Sequence, residues 1–199
     1  MHDLAPTTEV LAGLVAAVRD DQLSAPTPCP EMSLAELLVH IDELALAFTA
    51  AATKTTPTGD DGTPDEDNPP TASSPLDTGW RTRIPQRLTD LAAAWRADAA
   101  WTGMTHAGGV DLPGEVAGVV ALDEVLLHGW DVAAATGQQF TADPALAEAA
   151  LGFVQATAQE SPEGSPGLFG PPLPVPAEAP LLDRLVALSG RDPAWTPPA

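Results

Sequence analysis

Residues 123–137 read DEVLLHGWDVAAATG, and this stretch decides the fold because it is helical yet carries charge on its apolar side. Glu124 and His128 are four residues apart, so they stack on one face of a helix. Val116 and Val120 precede them at the same spacing, which indicates that this face is the apolar one. The spacing therefore predicts a carboxylate and an imidazole that point into a protein core.

Apolar residues recur at helical spacing in five further segments, so the sequence predicts an all-α protein. Ser33 and Glu36 form a capping box at the start of the second helix. Pro113 is typical of the first turn of the fourth helix, and Gly137 is typical of its end. The predicted helices cover 3–22, 33–52, 78–100, 113–136, 143–159 and 180–190. This order favours a four-helix bundle with additional C-terminal helices.

Two segments lack helical periodicity. Residues 54–76, KTTPTGDDGTPDEDNPPTASSPL, are rich in proline and acidic residues, which predicts a long, exposed and mobile loop. Residues 101–112 are predicted to form an irregular linker with a short extended piece at 109–112. A length of 199 residues favours a single domain over 1–199.

The composition excludes several classes of function. A net charge of −20 repels phosphate backbones and anionic lipid headgroups, so we expect neither a nucleic-acid partner nor a membrane surface. The single cysteine, Cys29, cannot form an intramolecular disulfide. The N-terminus lacks a secretory signal pattern, and no uncharged apolar run approaches the roughly 18 residues of a membrane span. We therefore expect a cytoplasmic protein.

His40 supplies a third polar group on an apolar helix face. It follows Leu37 by three residues and precedes Leu44 by four, which places it within the apolar stripe of the second helix. Two histidines and one carboxylate form the ligand set of many catalytic zinc sites. A buried carboxylate also needs a counter-charge, which a divalent cation supplies. The alternative is a hydrogen-bonded pair of Glu124 and His128, with His40 a separately satisfied core histidine.

Four segments together resemble one family along nearly the whole chain. The segments are TPCPEM (27–32), LAELLVHI (34–41), AGGVDLPGEVAGVVALDEVLLHGWDVAAATGQ (107–138) and FGPPLPVP with PLLDRLVALSGRDPAW (169–195). The chain resembles the mycothiol-dependent maleylpyruvate isomerase and DinB-like superfamily, in its actinobacterial metal-binding branch. HGWD with its upstream acid is the most specific element of the match.

The resemblance implies a DinB-like four-helix bundle that binds a divalent metal, usually zinc, through His40, Glu124 and His128. It also implies mycothiol, or a related small thiol, as cosubstrate in isomerisation or S-transfer, with a small electrophile as the second substrate. The corresponding hypothesis is that a metal-bound thiolate attacks the electrophile. A homodimer is a further expectation, because bundles of this superfamily often dimerise.

Asp131, His106 and Trp130 are further candidates for the site. Asp131 follows His128 by three residues and is a candidate acceptor for its imidazole, although a helix-surface carboxylate is an equal alternative. His106 and Trp130 are pocket candidates, but a surface position for His106 and helix packing for Trp130 are favoured. Two other functions stay open: a metal-binding or stress-associated protein without catalysis, and a metal-free interaction module.

Overall fold

The computed structural model describes residues 1–30, 32–55, 76–165 and 167–198, and these residues form a mostly helical structure. Most of the loop predicted at 54–76 lies outside the described residues. The helices are α1 Ala5–Ala16, α2 Leu34–Thr53, α3 Trp80–Ala94, α4 Gly114–Thr136, α5 Pro144–Glu160 and α6 Leu181–Leu188. The strands are β1 Met104–Ala107 and β2 Val110–Pro113. The predicted all-α bundle with additional C-terminal helices is confirmed.

Two predicted helices are too long. The first ends at Ala16 and is followed by a 3₁₀ turn at Asp20–Gln22, where the Gln22 side chain accepts a hydrogen bond from the Arg19 amide. The third ends at Ala94, and a 3₁₀ turn follows at Asp98–Trp101. That turn lets the Trp101 indole donate to the Trp95 carbonyl at 2.7 Å, a bond that a continuous helix would not allow.

The predicted linker at 101–112 contains an antiparallel hairpin. The short extended piece expected at 109–112 corresponds to β2, whereas the strand at 104–107, where irregular structure was expected, was not predicted. β1 and β2 pair from Met104 opposite Pro113 to Ala107 opposite Val110. Pro113 therefore belongs to a strand, and α4 begins one residue later at Gly114. The Thr105 hydroxyl donates to the Ala51 carbonyl and so attaches the hairpin to the end of α2.

The core consists of two clusters of buried apolar side chains, one on either side of α4. The first fills the space between α1, α2, α3 and α4 and contains the fully buried Trp95. The second lies between α4, α5 and α6 and contains Trp130, as expected for a residue that packs against a neighbouring helix. Phe140 and Trp195 contact both clusters. No helix of the described residues has the length and hydropathy needed to cross a membrane.

A buried ion pair joins α2 to α3. Asp42 is buried and pairs with Nε of Arg83 at 2.7 Å and with Nη1 of Arg87 at 3.0 Å. Helical spacing alone did not indicate that these arginines face a buried acid. Their side chains are one quarter exposed or less, so water compensates for little of their charge.

Asp42→Ala is expected to lower the free energy of unfolding by about 2–3 kcal/mol, because it leaves the two guanidinium groups without their shared partner. Urea denaturation measures the change. Asp21→Ala is the matched control, since Asp21 pairs with Arg19 in full contact with solvent. If both substitutions have equally small effects, the α2–α3 ion pair does not contribute to stability.

Candidate metal centre

The start of α2 sets the position of His40. Ser33 and Glu36 form the predicted capping box, in which the Ser33 amide donates to the Glu36 carboxylate at 2.8 Å. From this start, His40 lies at the edge of the apolar stripe rather than within it, because its side chain is 32% exposed. The prediction that His40 belongs to the core is corrected accordingly. Partial exposure gives this imidazole access to solvent.

α4 carries Glu124 and His128 on successive turns, on a face that runs from solvent into the core. Val116 is 38% exposed and Val120 is half-buried, whereas the side chains of Glu124 and His128 are 17% and 6% exposed. The expected apolar core face is therefore wrong at Val116. Val120 packs against the first apolar cluster, so burial along this face begins at Val120 and increases toward His128.

The structure brings His40, Glu124 and His128 into one cluster. Nε2 of His128 lies 3.0 Å from Oε2 of Glu124, and Nε2 of His40 lies 3.8 Å from the same oxygen. The two imidazole rings meet edge to face with their centroids 4.8 Å apart. One candidate ligand atom from each side chain lies within 4.8 Å of the others. His40 therefore belongs to the same site as the α4 pair.

The other ring nitrogen of His128 is held by Asp131. Nδ1 of His128 lies 2.9 Å from Oδ2 of Asp131, which is completely buried. Because an ionised carboxylate only accepts hydrogen bonds, Nδ1 carries the proton and Nε2 faces Glu124. This is the arrangement that orients metal-binding histidines in many proteins. Asp131 thus has the geometry of the candidate acceptor rather than that of a surface carboxylate.

Arg191, which the sequence analysis did not identify, completes this chain of contacts. Its Nε lies 2.9 Å from Oδ1 of Asp131, and its Nη2 lies 3.0 Å from Oδ2. Arg191 follows α6, sixty residues after Asp131. The only signal in the sequence was a rare basic residue next to a glycine, and that signal does not predict which helix the side chain reaches.

The contacts of the cluster change the protonation of its members. The pKa of His128 is raised to about 9: burial lowers it, but hydrogen bonds to Asp131 and Glu124 outweigh burial. The pKa of Glu124 is well below its ordinary value, since hydrogen bonds from His128 and His40 outweigh the opposite effect of burial. These contacts favour the protonated imidazole of His128 and the ionised carboxylate of Glu124. A cation bound at Nε2 would compete with the proton there.

Asp123 is a second residue that the sequence analysis missed. It is completely buried, and neither carboxylate oxygen has a hydrogen-bond partner among the described residues. Burial, together with the charge of Glu124, raises the pKa of Asp123 well above its ordinary value. Burial therefore favours the neutral carboxylic acid form of Asp123, the residue that precedes Glu124 on α4.

The two pocket candidates lie outside the cluster. His106 projects from β1 with most of its side chain exposed, and its Nδ1 pairs with Asp111 across the hairpin at 3.0 Å. Trp130 is buried among the apolar side chains of the second core cluster, between α4, α5 and α6. Neither residue belongs to the group of candidate ligands found among the described residues.

The donor set fits a divalent cation. Ligand atoms about 2.1 Å from a tetrahedral cation lie about 3.4 Å from one another, and the separations of 3.0 and 3.8 Å lie on either side of that value. Two imidazoles and one carboxylate suit zinc, and also iron, nickel and manganese. The contact of Asp131 with Nδ1 of His128 leaves Nε2 facing Glu124. His40, Glu124 and His128 are thus the residues that would hold the cation.

Comparisons with known proteins identify the family. A model described as the mycothiol maleylpyruvate isomerase N-terminal domain matches residues 4–133. The uncharacterized proteins Rv0738 and MT0763, from two strains of Mycobacterium tuberculosis, are each 32% identical to this chain over 197 residues, with 92% of both chains covered. The family model agrees with the resemblance found in the sequence.

A solved structure has the same fold. The crystal structure of a mutant of the mycothiol-dependent maleylpyruvate isomerase matches with a TM-score of 0.57 and 16% sequence identity. The match covers 81% of this chain and 70% of the other. Since the family model spans well over half of the sequence, the chain belongs to the mycothiol maleylpyruvate isomerase N-terminal domain family.

Proposed function

We propose that the protein is a metal-dependent enzyme that uses mycothiol, or a related small thiol, either to isomerise a small electrophile or to transfer the thiol sulfur onto that electrophile. The observation that carries this proposal is the convergence of His40, Glu124 and His128 from two helices. Family membership supports the choice of thiol, because the family is described by a mycothiol-dependent isomerase. Zinc is the proposed cation, and the metal site is part of the proposal.

Each residue of the site has a distinct role. A cation bound by two neutral imidazoles and one carboxylate would keep a net charge near +1 and would lower the pKa of a thiol, which supplies a thiolate at neutral pH. Glu124 provides the negative charge at the centre, and Asp131 orients His128. His40 is the most exposed of the three ligands, so the thiol would enter on its side.

The two proposed reactions share their first step. The thiolate sulfur adds to one carbon of an electrophilic double bond, and the electron pair moves onto the activating group. For isomerisation, the adduct rotates about the former double bond and expels the thiolate, so the thiol is recovered unchanged. For S-transfer, the adduct takes up a proton and leaves as a thioether.

The number of ligands favours an enzyme over a structural metal site. Structural zinc sites have four protein ligands, whereas catalytic sites keep one position for water or substrate. Among the described residues, the cluster contains three histidine, cysteine or acidic side chains that could ligate, and no fourth. A non-catalytic metal-binding protein is the alternative, and a fourth protein ligand in the zinc-loaded protein would favour it.

The test measures thiol-dependent turnover by the full chain. Zinc-loaded protein, mycothiol and maleylpyruvate are combined, with dimethyl maleate as an uncharged electrophile in a parallel assay. We expect cis–trans isomerisation or thioether formation that requires mycothiol, is lost after treatment with EDTA and returns with zinc. Equal activity before and after complete metal removal would contradict the proposal. Stoichiometric zinc without turnover of either electrophile would favour the non-catalytic alternative.

The proposal includes three further features carried over from the sequence. The net charge of −20 supports small-molecule substrates rather than nucleic acid. A cytoplasmic location is proposed because low-molecular-weight thiols are kept reduced there. A homodimer is proposed on the family resemblance, and light scattering of the zinc-loaded protein measures its mass.

A further inference from the structure

We propose that Arg191 is a positioning residue of the metal centre, which acts on His128 through Asp131. This inference rests on the metal site of the proposed function. It also extends the site beyond residues 4–133, the part that the family model matches. The C-terminal segment would then be a component of the metal centre rather than an addition to the bundle.

The contact between Arg191 and Asp131 is bidentate and buried. Nε lies 2.9 Å from Oδ1 and Nη2 lies 3.0 Å from Oδ2, so the planar guanidinium matches both carboxylate oxygens. Asp131 is completely buried and Arg191 is 9% exposed. Such paired, charge-assisted hydrogen bonds restrict the orientation of a carboxylate more than a single contact does.

The remaining donor of Arg191 is also held in place. Nη1 lies 3.2 Å from the Ser189 hydroxyl, which itself donates to the Val186 carbonyl at 2.8 Å. The guanidinium is therefore attached both to α4, through Asp131, and to the end of α6. These contacts leave the side chain little freedom to rotate, as a positioning role requires.

The backbone after α6 is shaped to deliver Arg191 to α4. Gly190 has a φ of +86°, and the Arg191 amide donates to the Val186 carbonyl at 3.1 Å, which turns the chain back over the helix end. A Cβ at Gly190 would lie 2.7 Å from the backbone of Gly170. The two glycines thus permit a close backbone contact that fixes where Arg191 begins.

Arg191 also provides a full positive charge in direct contact with the buried Asp131 carboxylate. Without it, the carboxylate would be free to turn away from Nδ1, and the His128 ring would lose its orientation.

The test compares four variants of the full chain with the wild type: Arg191→Met, Arg191→Lys, Asp131→Asn, and Asp131→Asn combined with Arg191→Met. Arg184→Met on α6 is the matched control. The first readout is the zinc dissociation constant from competition with a chelator. The second is the ¹H–¹⁵N spectrum of the histidine rings, which distinguishes the tautomer and hydrogen bond of His128 and which a general loss of stability would not alter in the same way.

We expect Arg191→Met to weaken zinc binding by about 10- to 100-fold and to change the Nδ1 signal of His128. Arg191→Lys should recover part of the zinc affinity lost in Arg191→Met, because lysine restores the positive charge but not the bidentate contact with Asp131. The double variant should bind zinc as Asp131→Asn does, since Arg191 has no route to His128 once the carboxylate is gone. Arg184→Met should match the wild type.

Zinc affinity within twofold of the wild type, together with an unchanged His128 signal in Arg191→Met, would overturn the inference. If Arg191→Met fails to fold, the zinc affinity of the double variant is compared with that of Asp131→Asn instead. The double variant removes both buried charges and so leaves neither unpaired. If the double variant binds zinc more weakly than Asp131→Asn does, Arg191 does not act only through Asp131, and the inference is contradicted. If the wild type binds no zinc, the proposed function fails, and the His128 signal in the zinc-free variants still tests the contact.

Discussion

His128→Ala is expected to lower the affinity for zinc by about two to four orders of magnitude. His128 is the most buried of the three candidate ligands, and its Nε2 lies 3.0 Å from Glu124. Breaking a buried charged pair costs about 3–5 kcal/mol, and each 1.4 kcal/mol corresponds to a factor of ten in a binding constant. The substitution also leaves Asp131 without the imidazole that it orients.

Competition with a zinc-binding dye measures the dissociation constants, and circular dichroism checks that the helices remain. His106→Ala is the matched control, because it removes the same side chain from the exposed hairpin, where its contact is Asp111. We expect the control to bind zinc as the wild type does. Equal affinities of His128→Ala and His106→Ala would exclude the cluster of His40, Glu124 and His128 as the zinc site.

Asp123→Asn is expected to stabilise the metal-free protein, by an amount that increases with pH. Asp123 is completely buried and has no hydrogen-bond partner among the described residues, so ionisation of its carboxyl group is strongly unfavourable in the folded state. In the unfolded chain the same group ionises near its ordinary pKa of 3.8. An asparagine of nearly the same size does not ionise in either state.

The sign of the pH dependence follows from the raised pKa. A group whose pKa is higher in the folded state stabilises the protein fully below the unfolded pKa, and this contribution is lost as the pH rises toward the folded pKa. The wild type therefore loses stability relative to Asp123→Asn above about pH 4, by up to about 1.4 kcal/mol per pH unit, until Asp123 ionises in the folded protein.

Urea denaturation at several pH values between 4 and 8, in the presence of EDTA, measures the difference in the free energy of unfolding. Asp98→Asn is the control, since Asp98 is exposed on the 3₁₀ turn after α3. This variant removes the same carboxyl group from an exposed position and is measured at the same pH values. A difference between Asp123→Asn and the wild type that does not increase with pH would contradict the prediction, because only a raised pKa in the folded protein makes the difference depend on pH.

Local rules predicted α2 and the end of α4 well. The capping box at Ser33 and the glycine at 137 are short-range signals, and the structure begins α2 at Leu34 and ends α4 at Thr136. Such signals work because they depend on hydrogen bonds within one turn. The 3₁₀ turns after α1 and α3 were missed because contacts such as Trp101 with Trp95 decide where those helices stop.

The cluster of candidate ligands was predicted only as far as one helix determines it. The four-residue spacing of Glu124 and His128 places them together on any α-helix. The approach of His40 depends on how α2 packs against α4, and the partial exposure of this face depends on what covers α4 elsewhere. The position of Asp131 relative to Nδ1 of His128 again follows from spacing on α4.

The amino-acid sequence by itself determined which side chains share a helix face, the helical class of the fold and the residues with the chemistry to bind a cation. Only the tertiary structure decided that Arg191 reaches Asp131 and that the buried Asp123 carboxylate has no hydrogen-bond partner within the described part of the chain. The physical reason is range. Helical periodicity acts over about four residues, whereas the environment of a buried charge depends on groups that packing brings from distant parts of the chain.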